Sequence, residues 1–428
     1  MNSNYTIKIK KRSQPEWLCW LLIVFPLLFG LLNDLLGAPD AIRYVLDLAW
    51  LVLLLLIVRF WKLLPMKRAK TLIGWALLFL TYTLLSYLPL YQSGVYYLWG
   101  LRNNFRFYLA FWAFCLFLTA KDVQDYLNLF DKLFWLSTVI SLVQYFVLDY
   151  RGDYLGGIFG VQSGCNGYVN IFYCIVLTKS VIFYLEKKER MAACFSKIAA
   201  ALVVAALAEL KFFFVEVIVI IVLAVLFTDF SWRKVWVILG GMAAVIGGAA
   251  LLAVLFPNFA GFLSLEWLFS TAISSRGYTS SGDINRLNAI SVINERFLRE
   301  WYQQLFGLGL GNCDISSVSF LNTPFSQKYF WLHYSWLSTA HMYLETGYIG
   351  LVFFFGFFIV AFFSAWRIER RCDAAGKPYC RMARIMAVLC VMIAVYNSSL
   401  RTEAGYMAYF TLAVPFLIGK RQIPEKKR

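Results

Sequence analysis

Blocks of roughly 18–22 mostly apolar residues recur along the chain, and no other feature constrains its fold as much. A hydrocarbon core of about 30 Å is crossed by about 20 helical residues. A segment in that core must satisfy its backbone internally, which leaves only helices and closed barrels. Runs such as LAWLVLLLLIVRF, ending at Phe60, lack the alternation of a barrel strand. The blocks are therefore predicted to be helices. Composition agrees: 61% of residues are hydrophobic and 15% charged, against about 45–50% and about 25% in soluble domains.

The predicted spans are 17–36, 41–60, 71–90, 105–120, 132–149, 167–185, 197–209, 212–229, 235–256, 342–366, 382–399 and 402–419. The expected fold is an all-α polytopic membrane protein with about twelve transmembrane helices, nine of them within 1–256. One large external loop is expected at 257–341, followed by three helices and a basic tail within 342–428. The basic MNSNYTIKIKKRSQPEW stretch precedes an apolar run too long for a signal-peptide core, so that run reads as the first anchor.

Charge sets the expected orientation. The net charge is +16, and 28 of the 40 Lys and Arg residues fall in alternate connections, including WKLLPMKRAK, EKKER, RIERR and KRQIPEKKR. The positive-inside rule puts those connections, and both termini, in the cytoplasm. Basic residues gathered at helix ends also exclude a nucleic-acid interface as the source of the charge. The nine cysteines show no metal-ligand spacing. Cys165 and Cys313 fall in predicted external loops, where a bridge between them is one option; the other is that all nine are small apolar residues.

The large loop contains DINRLNAISVINERFLREWYQQLFG, with Leu287, Ile290, Val292, Ile293, Phe297 and Leu298 at helical spacing. This predicts an amphipathic helix lying on the membrane face. GLGLGN then ends it.

Candidate chemistry gathers on the predicted outer face. Both histidines, His333 and His341, close the loop. Histidine exchanges protons near neutral pH, and His341 and Glu345, four residues apart, share a helix face. Arg102, Arg106, Arg151, Lys211, Arg276, Arg286 and Arg401 are basic residues on the side where such residues are depleted. A polyanionic substrate would account for them; so would ion pairing, as of Arg401 with Glu403 or Lys211 with Glu209. Glu216, Asp47 and Lys179 fall within or near spans, where ionisable groups are costly and often functional. The chain has no Walker loop, GxSxG or HExxH motif.

Three pieces between Arg276 and Gly350 resemble the O-antigen polymerase and ligase superfamily. They are INRLNAISVINERF with Arg286, the glycine-rich LFGLGLGN, and HYSWLSTAHMYLETGYIGL with Glu345, Gly347 and Gly350. The layout is also similar, with a large loop after the ninth span and a basic residue, Lys211, at the tip of the seventh–eighth hairpin. There are two departures. Trp336 stands where the family pattern has a His-Asn pair, and Lys211 where Arg is common. The resemblance implies a metal-independent, inverting glycosyltransferase without a cofactor, acting on undecaprenyl-diphosphate-linked oligosaccharide at the outer face of the bacterial cytoplasmic membrane. Arg286, Lys211, Arg276 and Arg401 would hold the diphosphate. His341 or His333, with Glu345, would act on the acceptor, and pairing with Glu345 favours His341. Polymerisation of repeat units is the leading expectation. Ligation to a lipid A core or another surface acceptor is the alternative, and transport a lesser one. Implied partners are membrane lipids, a chain-length regulator and a flippase, with no nucleic acid.

Overall fold

The computed structural model describes residues 13–60, 67–90, 93–255 and 282–420. Arg276, residues 1–12 and 61–66, the first part of the large loop and the RQIPEKKR tail after Lys420 lie outside them. The described residues are helical, without strands. The long helices are α1 (Gln14–Leu36), α2 (Val45–Phe60), α3 (Lys67–Tyr87), α4 (Gly94–Phe117), α5 (Ala120–Phe146), α6 (Asn166–Leu185), α7 (Met191–Leu207), α8 (Lys211–Phe227) and α9 (Trp232–Leu255). Three short helices follow: α10 (Ala289–Arg296), α11 (Trp301–Phe306) and α12 (Pro324–Tyr329). The chain ends with α13 (Ser338–Glu369), α14 (Lys377–Tyr396) and α15 (Gly405–Lys420). Eight helices among the described residues are long and apolar enough to cross a membrane. This is the architecture of a polytopic helical membrane protein.

Burial sorts the helices. The apolar window of α6 is 89% buried, against 22% for α2. So α6 is a central helix, while α2 turns Leu48, Leu51, Leu55 and Val58 outward. An apolar surface of that kind suits lipid and not water. Aromatic rings knit the other side of the core: Tyr409 of α15 packs on Phe107, Tyr108, Phe357 and Phe358.

The structure differs from the sequence reading at several places. The amphipathic stretch is two helices, α10 and α11, separated at Phe297–Glu300. The break has local causes: Leu298 N–H returns to Ile293 O, and Glu300 starts α11 with a reciprocal cap to Gln303. Val292, Ile293 and Leu298 are buried, but Leu287 is exposed. Helix α4 begins eleven residues before the predicted span, so Arg102 and Arg106 are helical. Arg102 pairs with Asp47 at 2.7 Å and Arg106 with Glu403 at 3.2 Å. Helix α13 begins at Ser338, which places His341 inside it. All nine cysteines are free thiols.

Candidate active site

Two of the three motif pieces meet in a junction of backbone against backbone. Helix α11 ends at Gly307, and the next two amides turn onto α13. Leu308 N–H donates to Leu344 O at 2.8 Å and Gly309 N–H to Glu345 O at 2.9 Å. Those carbonyls are available because α13 breaks at Gly347 (φ 62°, ψ −165°), a conformation essentially restricted to glycine. A Cβ on Gly347 would lie 2.3 Å from Leu305 O, and one on Gly307 2.4 Å from Glu345 C. Tyr82 of α3 completes the join, its hydroxyl donating to Thr346 O at 2.7 Å.

The junction aims Glu345 inward. Its Oε1 accepts Cys313 N–H at 3.1 Å. His341 Nε2 lies 3.2 Å from Glu345 Oε1 and 3.1 Å from Asp314 Oδ1. Asp314 also receives Arg401 at 3.0 Å and Asn103 Nδ2 at 2.9 Å. Burial alone would raise the Asp314 carboxyl; His341, Arg401 and Asn103 outweigh it and hold that carboxyl well below the usual range. His341, Asp314 and Glu345 are nearly inaccessible, at 1%, 3% and 0% exposure. Their donor atoms lie within 4.8 Å of one another, close enough for one cation to bridge. Arg401 and the His341 ring are the groups that face the two carboxylates. It is a buried charge network.

His333 is placed differently. It adopts a left-handed conformation (φ 51°, ψ 28°) between two 3-10 turns, Phe330–Leu332 and Tyr334–Trp336. Non-glycine residues seldom take that conformation, and instances gather at functional sites. Its Nδ1 lies 2.6 Å from Asp283 Oδ1, and its ring stacks on Trp336 with centroids 3.8 Å apart. The side chain is 35% exposed. A neutral His333 donating Nδ1–H to Asp283 leaves an Nε2 lone pair to accept a proton.

The same strand of chain brings in the cations. Ile284 N–H donates to Leu332 O at 3.2 Å, holding residues 283–286 alongside His333. Arg286 is exposed. Its Nε donates to Tyr396 O at 3.0 Å and its guanidinium lies 4.5 Å from the Tyr396 ring centroid. Among the described residues it has no carboxylate partner. Phe212 also stacks on the Tyr396 ring, with centroids 4.2 Å apart. Lys211 precedes Phe212 at the tip of the α7–α8 hairpin, outside the apolar runs. Burial pushes its ammonium down to about 8; Glu209 opposes that shift and Arg286 adds to it. Lys211 and Arg286 thus share one electrostatic neighbourhood.

The structure therefore gathers the sequence-derived candidates into two groups. His341, Glu345 and Arg401 form the buried network. His333, Arg286 and Lys211 form a more open group. Arg276 lies outside the described residues. Asp283, Tyr396 and Asp314 escaped the sequence reading. Asp283 stands just before the INRL motif, but nothing in its spacing points to a histidine fifty residues on. Glu216 is wholly buried, receiving Asn170 Nδ2 at 3.2 Å and the Cys174 thiol at 3.3 Å. Lys179 pairs with Asp131 at the opposite end of α6. No protein-family model matches the chain, and no curated protein matches it.

Proposed function

We propose that the chain is a membrane glycosyltransferase that polymerises lipid-linked oligosaccharide repeat units, with undecaprenyl-diphosphate-linked glycan as donor. In this reading the twelve spans lie within α1–α9 and α13–α15, the eighth beginning at Phe212 and the tenth at Met342, both termini are cytoplasmic, and residues 257–341 face outward. The basic connections and the motif resemblance support that topology. One observation carries the catalytic reading. Arg286, exposed and without a carboxylate partner among the described residues, shares a short segment with Asp283, whose oxygen is 2.6 Å from a half-exposed histidine.

The chemistry follows from those groups. His333 Nε2 takes the proton of the acceptor hydroxyl. The acceptor oxygen forms its bond to the anomeric carbon as the bond from that carbon to the phosphate oxygen breaks. The electron pair leaves with the lipid diphosphate, where Arg286 and Lys211 meet the charge that develops. Direct displacement inverts the anomeric carbon. Asp283 holds the imidazole in the required tautomer. Glu345 and His341 take no part in this step; they tie Cys313 and Asp314 to α13 and support the fold.

The test is reconstitution in proteoliposomes with undecaprenyl-diphosphate oligosaccharide. A ladder of glycan lengths is expected. A single transfer to a lipid A core, with no ladder, would instead identify a ligase, and absence of any covalent product would reject the enzyme reading.

A further inference from the structure

A cavity of about 420 Å³ opens at the end of the molecule remote from His333, among α5, α6, α7 and the start of α14. Its volume lies within the range of small-ligand pockets, about 300–1,000 Å³. Nothing in the proposed reaction uses it.

Three lysines and two carboxylates line it: Lys179, Lys188, Lys197, Asp131 and Glu189. The wall therefore carries one net positive charge. Lys179 and Lys197 have buried side chains whose ammonium groups are fixed in place. Lys179 pairs with Asp131, and Lys197 reaches Asp131 at 2.8 Å and Glu189 at 3.0 Å. Lys188 is exposed and donates to Ala375 O at 2.9 Å. An ammonium has three N–H groups, so each lysine keeps at least one beyond these contacts. Gln124 and Asn128 add amides to the wall. Phe183 and Tyr379, edge to face at 5.2 Å, supply an apolar side.

We infer that this cavity binds the phosphodiester headgroup of an anionic phospholipid. A singly negative phosphodiester matches the wall's charge, and the preorganised N–H groups and amides match its oxygens. The cavity is bounded by the EKKER turn, on the side of the molecule that carries the basic connections, where pockets between helices take up anionic headgroups.

The test measures thermal unfolding of the full chain in nanodiscs of phosphatidylcholine alone or with phosphatidylglycerol added, and separately with inorganic phosphate. Phosphatidylglycerol is expected to raise the midpoint by about 2 °C at tenfold excess over its dissociation constant. Lys188→Gln removes a charge at an exposed position, and Ala193→Trp fills the cavity without touching a charge. Each should remove most of the rise while leaving the midpoint in pure phosphatidylcholine nearly unchanged; Lys328→Gln, on the large loop, should keep it. A full rise in either cavity variant, or none in the native protein, overturns the site. An equal rise from inorganic phosphate overturns the lipid as its source.

Discussion

The two histidines differ less in chemistry than in access. His341 touches two carboxylates and no open space, whereas His333 has one carboxylate and an exposed edge. Removing His341 leaves Asp314 and Glu345 facing a single guanidinium, and breaking a buried charge pair costs about 3–5 kcal/mol. His341→Ala should therefore lower the melting midpoint, while the fraction that folds keeps its turnover. His333→Ala should leave the midpoint nearly unchanged and slow product formation by roughly 10²–10⁴-fold, the contribution of a general base. Full activity in His333→Ala together with loss in folded His341→Ala would return the role to His341. The sequence spacing of His341 and Glu345 did identify a real contact. It did not reveal that Asp314 closes the network from the other side.

Lys211 supplies a second test at this scale. With its ammonium pushed down to about 8 by burial, its charge is lost as pH rises through that value. The KM for the lipid diphosphate should increase over the same range in the native protein. It should stay flat in Lys211→Arg, because a guanidinium remains protonated. The stability effect has the opposite sign. The folded-state value lies below the ordinary one, so burying the charged amine costs stability below about pH 8 and that cost fades as pH rises above it. A KM that rises equally in both proteins would remove Lys211 from donor binding.

At the level of elements, apolar run length predicted most helices to within a few residues, α6 and α8 among them. It failed where helices continue past their apolar stretch. Helix α4 carries Arg102 and Arg106 because Asp47 and Glu403 pair with them, and no local pattern announces such partners. The meeting of LFGLGLGN with LETGYIG was likewise invisible, since it depends on two glycines relieving one backbone contact. Gly347→Ala tests that junction. Its backbone region costs a non-glycine residue roughly 1–3 kcal/mol, and the new Cβ meets Leu305 O at 2.3 Å. The variant should unfold at lower temperature and lose activity through displacement of α11. Native stability in Gly347→Ala would show that α13 does not need the break.

For the whole molecule, the division into faces matters most. One end carries His333, Arg286 and Lys211; the other carries the basic turns and the lysine-lined cavity. The sequence showed this polarity through its charge distribution. It could not show which of those candidate cations are already matched by carboxylates: Arg102, Arg106, Arg151 and Arg401 are, and among the described residues Arg286 is not. The central claim is that lipid diphosphate leaves at this group as a glycosidic bond forms. The most direct measurement is the undecaprenyl diphosphate released per new glycosidic bond by the purified protein in proteoliposomes. One released per bond formed is predicted, with release falling together with bond formation in Arg286→Ala and His333→Ala. Bond formation without release of the lipid diphosphate, or native rates of both in those variants, would contradict the account.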